Sequence, residues 1–224
     1  MTVLVLAATP PEAGLLHSLA ARVVLTGIGA VNTAHALTRE LLTRPPPSLV
    51  IQAGVAGAYV PAGIAVGSAV LASEEVYADV GVITTEGWLS AEEIGVPLVD
   101  ATANRPARFN RFPLDERLVA RAATVCGPLL ARTGRFLTLS QVTGTRAGGD
   151  ALYARFGALC ESMEGAAAAH VCALHDVPFL EVRGISNLVE DRDRSRWRVG
   201  EAAESAQRVV RHLVEHVGEL GPAS

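Results

Sequence analysis

Four side chains in the sequence stand where chemistry can be done. Glu12 follows an apolar run and a proline pair in ATPPEAGLL, and Glu164 stands in ESMEGAAAAHVCAL, at the mouth of a helix of small apolar residues. Arg183 interrupts an otherwise apolar strand, PFLEVRG. Two carboxylates brought together can bind a water and take its proton, a general-base contribution of about 10²- to 10⁴-fold in rate. A buried arginine needs anionic partners, and it would keep such carboxylates ionised. Each acid alone has a plainer role, because the helix dipole favours a carboxylate in a first turn. Whether the two acids meet is decided by the fold. The fourth residue, Asn187, ends the run VRGISN, where an amide offers a donor and an acceptor side by side.

Other chemistries lack their parts. All 19 cations are arginine, which excludes a lysine Schiff base and a Walker-type phosphate loop. The glycine turn TGIG, 26–29, can present N–H groups to an anion or a sugar. A dinucleotide fingerprint would need glycine where Asn32 stands, and an acid about 20 residues on, where the proline triplet lies. His212 and His216 share a helix face without a third ligand, and Cys126, Cys160 and Cys172 show no CxxC spacing. Neither a metal nor a cofactor is expected. No GxSxG elbow occurs. The arginines at 192, 194, 196 and 198 read as a solvated run, partly buried at Trp197.

These residues need elements to hold them. Apolar and alternating runs predict strands over 2–7, 22–25, 49–53, 66–77, 135–142, 158–162 and 179–185. Helical periodicity and capping signals predict helices over 10–21, 30–43, 114–125, 147–156, 163–174 and 200–217. Ser162 is the expected cap of the 163–174 helix, with Glu164 in its first turn. The stretch 86–113 is polar, broken by Pro and Gly, and reads as a functional loop or an insertion. Strands alternating with helices indicate an α/β layered fold, one domain over 1–224. Ligands in such sheets sit beyond the carboxyl ends of strands. Those ends carry TGIG, AGVAG, Ser73-Glu74-Glu75, SMEG and GISN.

Half the residues are hydrophobic and the net charge is −4, which argues against disorder and against a nucleic-acid-binding face. The odd cysteine count, and no basic leader or long apolar span, lead us to expect a cytoplasmic protein without a membrane partner.

The ordered series VLVLAATPPEAGLL, TGIGAVNTA, IQAGVAGAY, GSAVLASEEVYAD, SMEGAAAAHVCALHDVPF and VRGISN resembles the nucleoside phosphorylase/nucleosidase superfamily. Within it the chain is similar to the purine nucleosidases related to methylthioadenosine/S-adenosylhomocysteine nucleosidase. The resemblance implies a central twisted mixed β-sheet surrounded by helices. It also implies a small-molecule nucleoside substrate and a homodimer or larger homo-oligomer. Carried over by position, Glu12, Ser73, Glu164 and Arg183 match the group around a nucleophilic water. Met163 and Glu164 match a ribose-contacting pair, Ser186 and Asn187 a purine-contacting pair, and Gly54 belongs to a substrate-binding stretch, AGVAG.

Adenine-releasing members end the last of these strands in Ser-Asp, where this chain has Ser186-Asn187. SMEGAA, EVRGISNLVEDRD and Trp197 resemble the branch that hydrolyses futalosine to hypoxanthine in menaquinone biosynthesis. An amide suits that base, since Asn187 can donate to the oxo group and accept from a protonated N7. The benzoate-bearing 5′ arm of futalosine requires a cation. Arg105, Arg108 and Arg111 are the candidates, and in related nucleosidases a loop of the neighbouring subunit helps close this pocket. Three rivals stay open: a 6-amino-purine nucleosidase, a 6-oxopurine nucleoside phosphorylase, and a non-catalytic nucleoside binder. Glu12 stands where phosphate would have to sit, which disfavours the second. The two glutamates disfavour the third.

Overall fold

The run VLVLA buries all its residues as β1, Val3–Ala7, and the sheet grows from both of its sides. β1 pairs in parallel with β2, Arg22–Leu25, and with β3, Leu49–Tyr59. From β3 the sheet continues through β9, Cys160–Ser162, then β8, Arg132–Thr138, then β4, Ala69–Tyr77, to β10, Phe179–Val189. β10 also pairs in parallel with β3, so these five strands close into a ring that β1 and β2 extend. Its pairings are parallel and antiparallel, which is the mixed sheet expected. This computed structural model describes residues 2–103 and 105–221; the rest of the expected 1–224 domain lies outside them.

Around the sheet lie α1, Pro10–Ala13, α2, Ala30–Thr43, α3, Glu116–Cys126, α4, Arg146–Phe156, α5, Gly165–Leu174, and α6, Val199–Glu215. α2 packs on α5, and α6 lies against β10. No helix among the described residues is long and apolar enough to cross a membrane.

Four departures from the expected elements bear on the site. α1 is a single turn, because the Leu15 N–H goes to Gln207 Oε1 at 2.7 Å instead of a helical carbonyl. β3 and β10 run past their expected ends, since AGVAGAY and GISNLV stay paired to each other. Their register slips between Ile185 and Asn187, which leaves Ser186 in a bulge. α5 begins at Gly165: Ser162 is the last residue of β9, and Glu164 takes the N-cap. Within 86–113 the chain forms β6, Gly87–Ser90, paired with β5, Gly81–Thr84, and ends in β7, Arg111–Pro113, paired with β4.

Candidate active site

Glu12 is buried and held by its own turn. The Thr9 N–H and hydroxyl donate to Oε2 at 3.0 and 2.6 Å, and the Val55 N–H of β3 donates to Oε1 at 3.0 Å. A carboxylate oxygen has two lone pairs, so Oε1 keeps one for a further donor.

Arg183 is fully buried on β10. Its Nη1 donates to Glu164 Oε2 and to the Val55 carbonyl, both at 3.2 Å, and its Nε donates to Glu181 Oε1 at 2.7 Å. Burial alone would lower its pKa, but Glu181, Glu164 and Glu12 outweigh burial and hold the guanidinium charged, above its usual range. The other oxygen of Glu164 accepts from the Gly29 N–H at 2.9 Å. Gly29 reaches that place with φ +93°, a conformation that glycine adopts freely. The Glu164 side chain makes no cap bond to its own helix, because Arg183 and Gly29 engage it instead.

The two acids meet through Arg183 at Gly54. A methyl group on Gly54 would collide with Arg183 Nη1 and come within 2.9 Å of Glu12 Oε1. Glycine at 54 is therefore what lets the guanidinium approach Glu12.

Glu12 and Glu164 open on a cavity of about 390 Å³ beyond β1 and among the outer residues of β3 and β10. Met163, Ser186 and Asn187 line it with them. Ser186 Oγ donates to Asn187 Oδ1 at 2.7 Å, and Asn187 Nδ2 donates to the Leu188 carbonyl at 3.0 Å. One N–H and one lone pair of the amide remain for a ligand. Arg192 and Trp197 line the cavity too, with the guanidinium 4.6 Å above the indole ring. With Thr143 and Asn187 they also border a small side pocket, so these four residues share one end.

The match to known proteins runs over most of the chain. Residues 7–217 match the model of the phosphorylase superfamily. The chain belongs to that superfamily. The futalosine hydrolase of Streptomyces coelicolor is 38% identical over 194 residues, 86% of this chain and 73% of that one. The futalosine hydrolase of Thermus thermophilus is 40% identical over 193 residues, 86% of this chain and 80% of that one. Among solved structures, the 5′-methylthioadenosine/S-adenosylhomocysteine nucleosidase of Neisseria meningitidis with methylthio-immucillin-A is similar, with a TM-score of 0.79. That match covers 96% of this chain and 99% of the other at 21% identity, a likeness of fold.

In this phosphorylase-superfamily chain Gly54 and Arg183 stand behind the acids, and four more of the expected residues lie away from the cavity. Ser73 lies where β4 slips register against β8, between Ala72 and Glu74, and its carbonyl accepts from Leu114 N–H at 3.1 Å. Arg111 pairs with Glu74 at 3.2 Å. Arg105 pairs with Asp176 at 3.6 Å and with the Ala173 carbonyl. Arg108 borders a separate cavity with Phe112 and Phe179. For Arg105 and Arg108 the reason is the length of α5: Glu164 caps one end, whereas Ala173 and Asp176 lie at the other, about 15 Å away at 1.5 Å per residue.

Sequence reasoning missed Glu161. Buried on β9, it accepts from Tyr59 Oη at 2.8 Å, from Thr143 N–H at 2.6 Å and from Thr143 Oγ1 at 2.7 Å. It thereby pins Thr143 at the Asn187 end. An acid inside a strand expected to be buried was the available signal. Arg192, read as solvated, stands at the same end. The partial burial expected at Trp197 was the one sign of this, and Arg192 N–H donates to the Gly144 carbonyl at 3.1 Å where the chain turns back. Among the described residues, no three His, Cys, Asp or Glu side chains are grouped to hold a metal ion.

Proposed function

We propose that this N-glycosyl hydrolase cleaves futalosine, releasing hypoxanthine and the base-free sugar product as a step in menaquinone biosynthesis. The observation that carries the reading is the Asn187 end of the cavity, where an amide N–H and the Arg192 guanidinium are both donors. A 6-oxo purine presents an acceptor to them, whereas a 6-amino group would set donor against donor. The relatives named futalosine hydrolase support it.

In this reading the base lies toward Asn187 and the sugar between Glu12 and Glu164. The C1′–N9 bond breaks through an oxocarbenium-like sugar, and its electron pair leaves with the purine. Water adds to C1′ from the opposite face and gives a proton to the open lone pair of Glu12 Oε1. Glu164, fixed by Gly29 and Arg183, accepts from the sugar hydroxyls beside Met163. Solvent supplies the proton at N7, Asn187 Oδ1 accepts from it, and the products are free hypoxanthine and a hemiacetal. The 5′ carboxylate is read by Arg105 or Arg108 of a second copy of the chain, which makes the working unit a homodimer.

A methylthioadenosine/S-adenosylhomocysteine nucleosidase is the second reading, because the open lone pair of Asn187 Oδ1 can accept from a 6-amino group. The deciding experiment supplies futalosine, inosine and methylthioadenosine, with and without phosphate, and follows free base and sugar by mass spectrometry. We expect hypoxanthine from futalosine at a phosphate-independent rate. Preference for methylthioadenosine would overturn the base assignment, and a sugar 1-phosphate would overturn hydrolysis.

A further inference from the structure

Behind Arg183 lie two more glutamates that the proposed reaction does not use. Glu75 of β4 and Glu181 of β10 are both fully buried, and one oxygen of each lies 2.3 Å from the point where a Cβ on Gly165 would stand. They sit directly beneath the start of α5, where a methyl group on Gly165 would collide with Glu181 Oε2 and Glu75 Oε1 together. Gly165 follows Glu164, so the pair underlies the very peptide that carries that acid.

The hydrogens around the pair can be assigned one by one. Ala166 N–H donates to Thr138 Oγ1 at 2.7 Å, so the Thr138 hydroxyl is free to donate onward to Glu75 Oε2, at 2.8 Å. At the far side Arg183 Nε donates to Glu181 Oε1 at 2.7 Å. What remains is Glu75 Oε1 and Glu181 Oε2, brought together under Gly165, and neither has a hydrogen-bond partner. Two bare carboxylate oxygens cannot share a dry site, so one proton lies between them. Arg183 then continues the line to Glu164 Oε2 at 3.2 Å.

We propose that Glu75 and Glu181 hold a single proton between them and act as a positioning pair, with Glu181 fixing the Glu164 carboxylate through Arg183. The proton resides on Glu75 and the charge on Glu181, opposite the guanidinium. Burial first, and then Glu181, pushes the Glu75 carboxyl well above the usual range, only partly offset by Thr138 and Arg183. The other titratable groups facing the pair are Cys160 of β9 and Tyr59 of β3, with Tyr77 on β4 itself. Burial keeps all three protonated, and Glu161 lies beyond Cys160 and Tyr59. Arg183 is therefore the one cation on the pair among the described residues.

The kinetic consequence is an asymmetry between the two acids. In Glu75→Gln the amide oxygen accepts from Thr138 and the NH₂ donates to Glu181, which copies the protonated state. In Glu181→Gln the charge facing Arg183 is lost whichever way the amide turns. We expect Glu181→Gln to lose at least about tenfold more kcat than Glu75→Gln, with KM changing less than kcat. Equal losses, or a greater loss for Glu75→Gln, would overturn the proposal. This arm rests on the reading of Glu164 as the sugar-holding acid, and any purine nucleoside that the wild type cleaves serves as its substrate. A second arm needs neither substrate nor a folded variant. Infrared difference spectra of the wild-type protein near neutral pH should contain the C=O stretch of a protonated carboxyl group. Its absence would overturn the shared proton even if futalosine is the substrate; its presence, without futalosine cleavage, would leave the pair standing and remove only the substrate.

Discussion

Both oxygens of Glu12 already accept from fixed donors, so a glutamine there must turn its NH₂ toward the N–H of Thr9 or of Val55. Glu12→Gln therefore loses the charge and strands one backbone donor. We expect kcat to fall by at least about 10²-fold, and urea denaturation to show a stability loss of about 1–3 kcal/mol. Glu164→Gln meets the same conflict between Gly29 N–H and Arg183, and the same fall in kcat is expected. Near-wild-type rates in both variants would remove water activation from Glu12 and sugar binding from Glu164. Asn187 presents a sharper choice. Its Nδ2 already bonds the next carbonyl, which is the local role any strand asparagine can fill. If it also reads the base, Asn187→Asp should move the futalosine to 6-amino-analogue ratio of kcat/KM about ten- to a hundredfold toward the amino compound. Competition between the two nucleosides measures that ratio, and an unchanged value would leave Asn187 with the backbone role alone.

Two elements carry most of the electrostatic load, β10 through Glu181 and Arg183 and the start of α5 through Glu164. Arg183→Met would leave Glu12, Glu164 and Glu181 facing one another without a cation. We expect that to cost about 3–5 kcal/mol in denaturant unfolding, as for a broken buried pair. Glu75 adds a pH dependence whose sign follows from its raised folded-state value. It binds its proton more tightly folded than unfolded. Its contribution to stability is complete below the ordinary glutamate value of 4.5 and is lost as pH rises through the higher folded value. Thermal midpoints across that range should fall more steeply for the wild type than for Glu75→Gln, and parallel curves would count against it. Much of this was legible beforehand. The apolar runs located every strand of the ring, though not its ends, and the strand ends pointed to TGIG, SMEG and GISN. The pairing of Glu75 with Glu181 was not legible, because residues 106 positions apart meet only when β10 docks beside β4. Ser73, carried over from the resemblance by position, stands at a bulge of β4 outside the cavity, and a residue-by-residue match cannot see a bulge.

For the molecule as a whole, Arg105 and Arg108 lie toward the end of α5 remote from the cavity, so on the proposed reading they act on a substrate held by a second copy. Arg108→Ala should raise KM for futalosine several-fold and leave inosine, if cleaved, unaffected. Sedimentation should show a dimer in the same buffer; a monomer that is fully active on futalosine would end the idea. The ring of strands has one further consequence. β10 carries Glu181 and Arg183 on one side of the Ser186 bulge and Asn187 on the other, and both stretches are paired to the same neighbour, β3. Before the bulge, Glu181 and Arg183 are locked by an adjoining strand and by the charges they must balance. After it, Asn187 is held by one strand and two short side-chain bonds. Drift in the second stretch is thus cheap and drift in the first is punished. If the tip reads the base as proposed, single substitutions there would exchange the base accepted, while Glu181 and Arg183 before the bulge stay fixed.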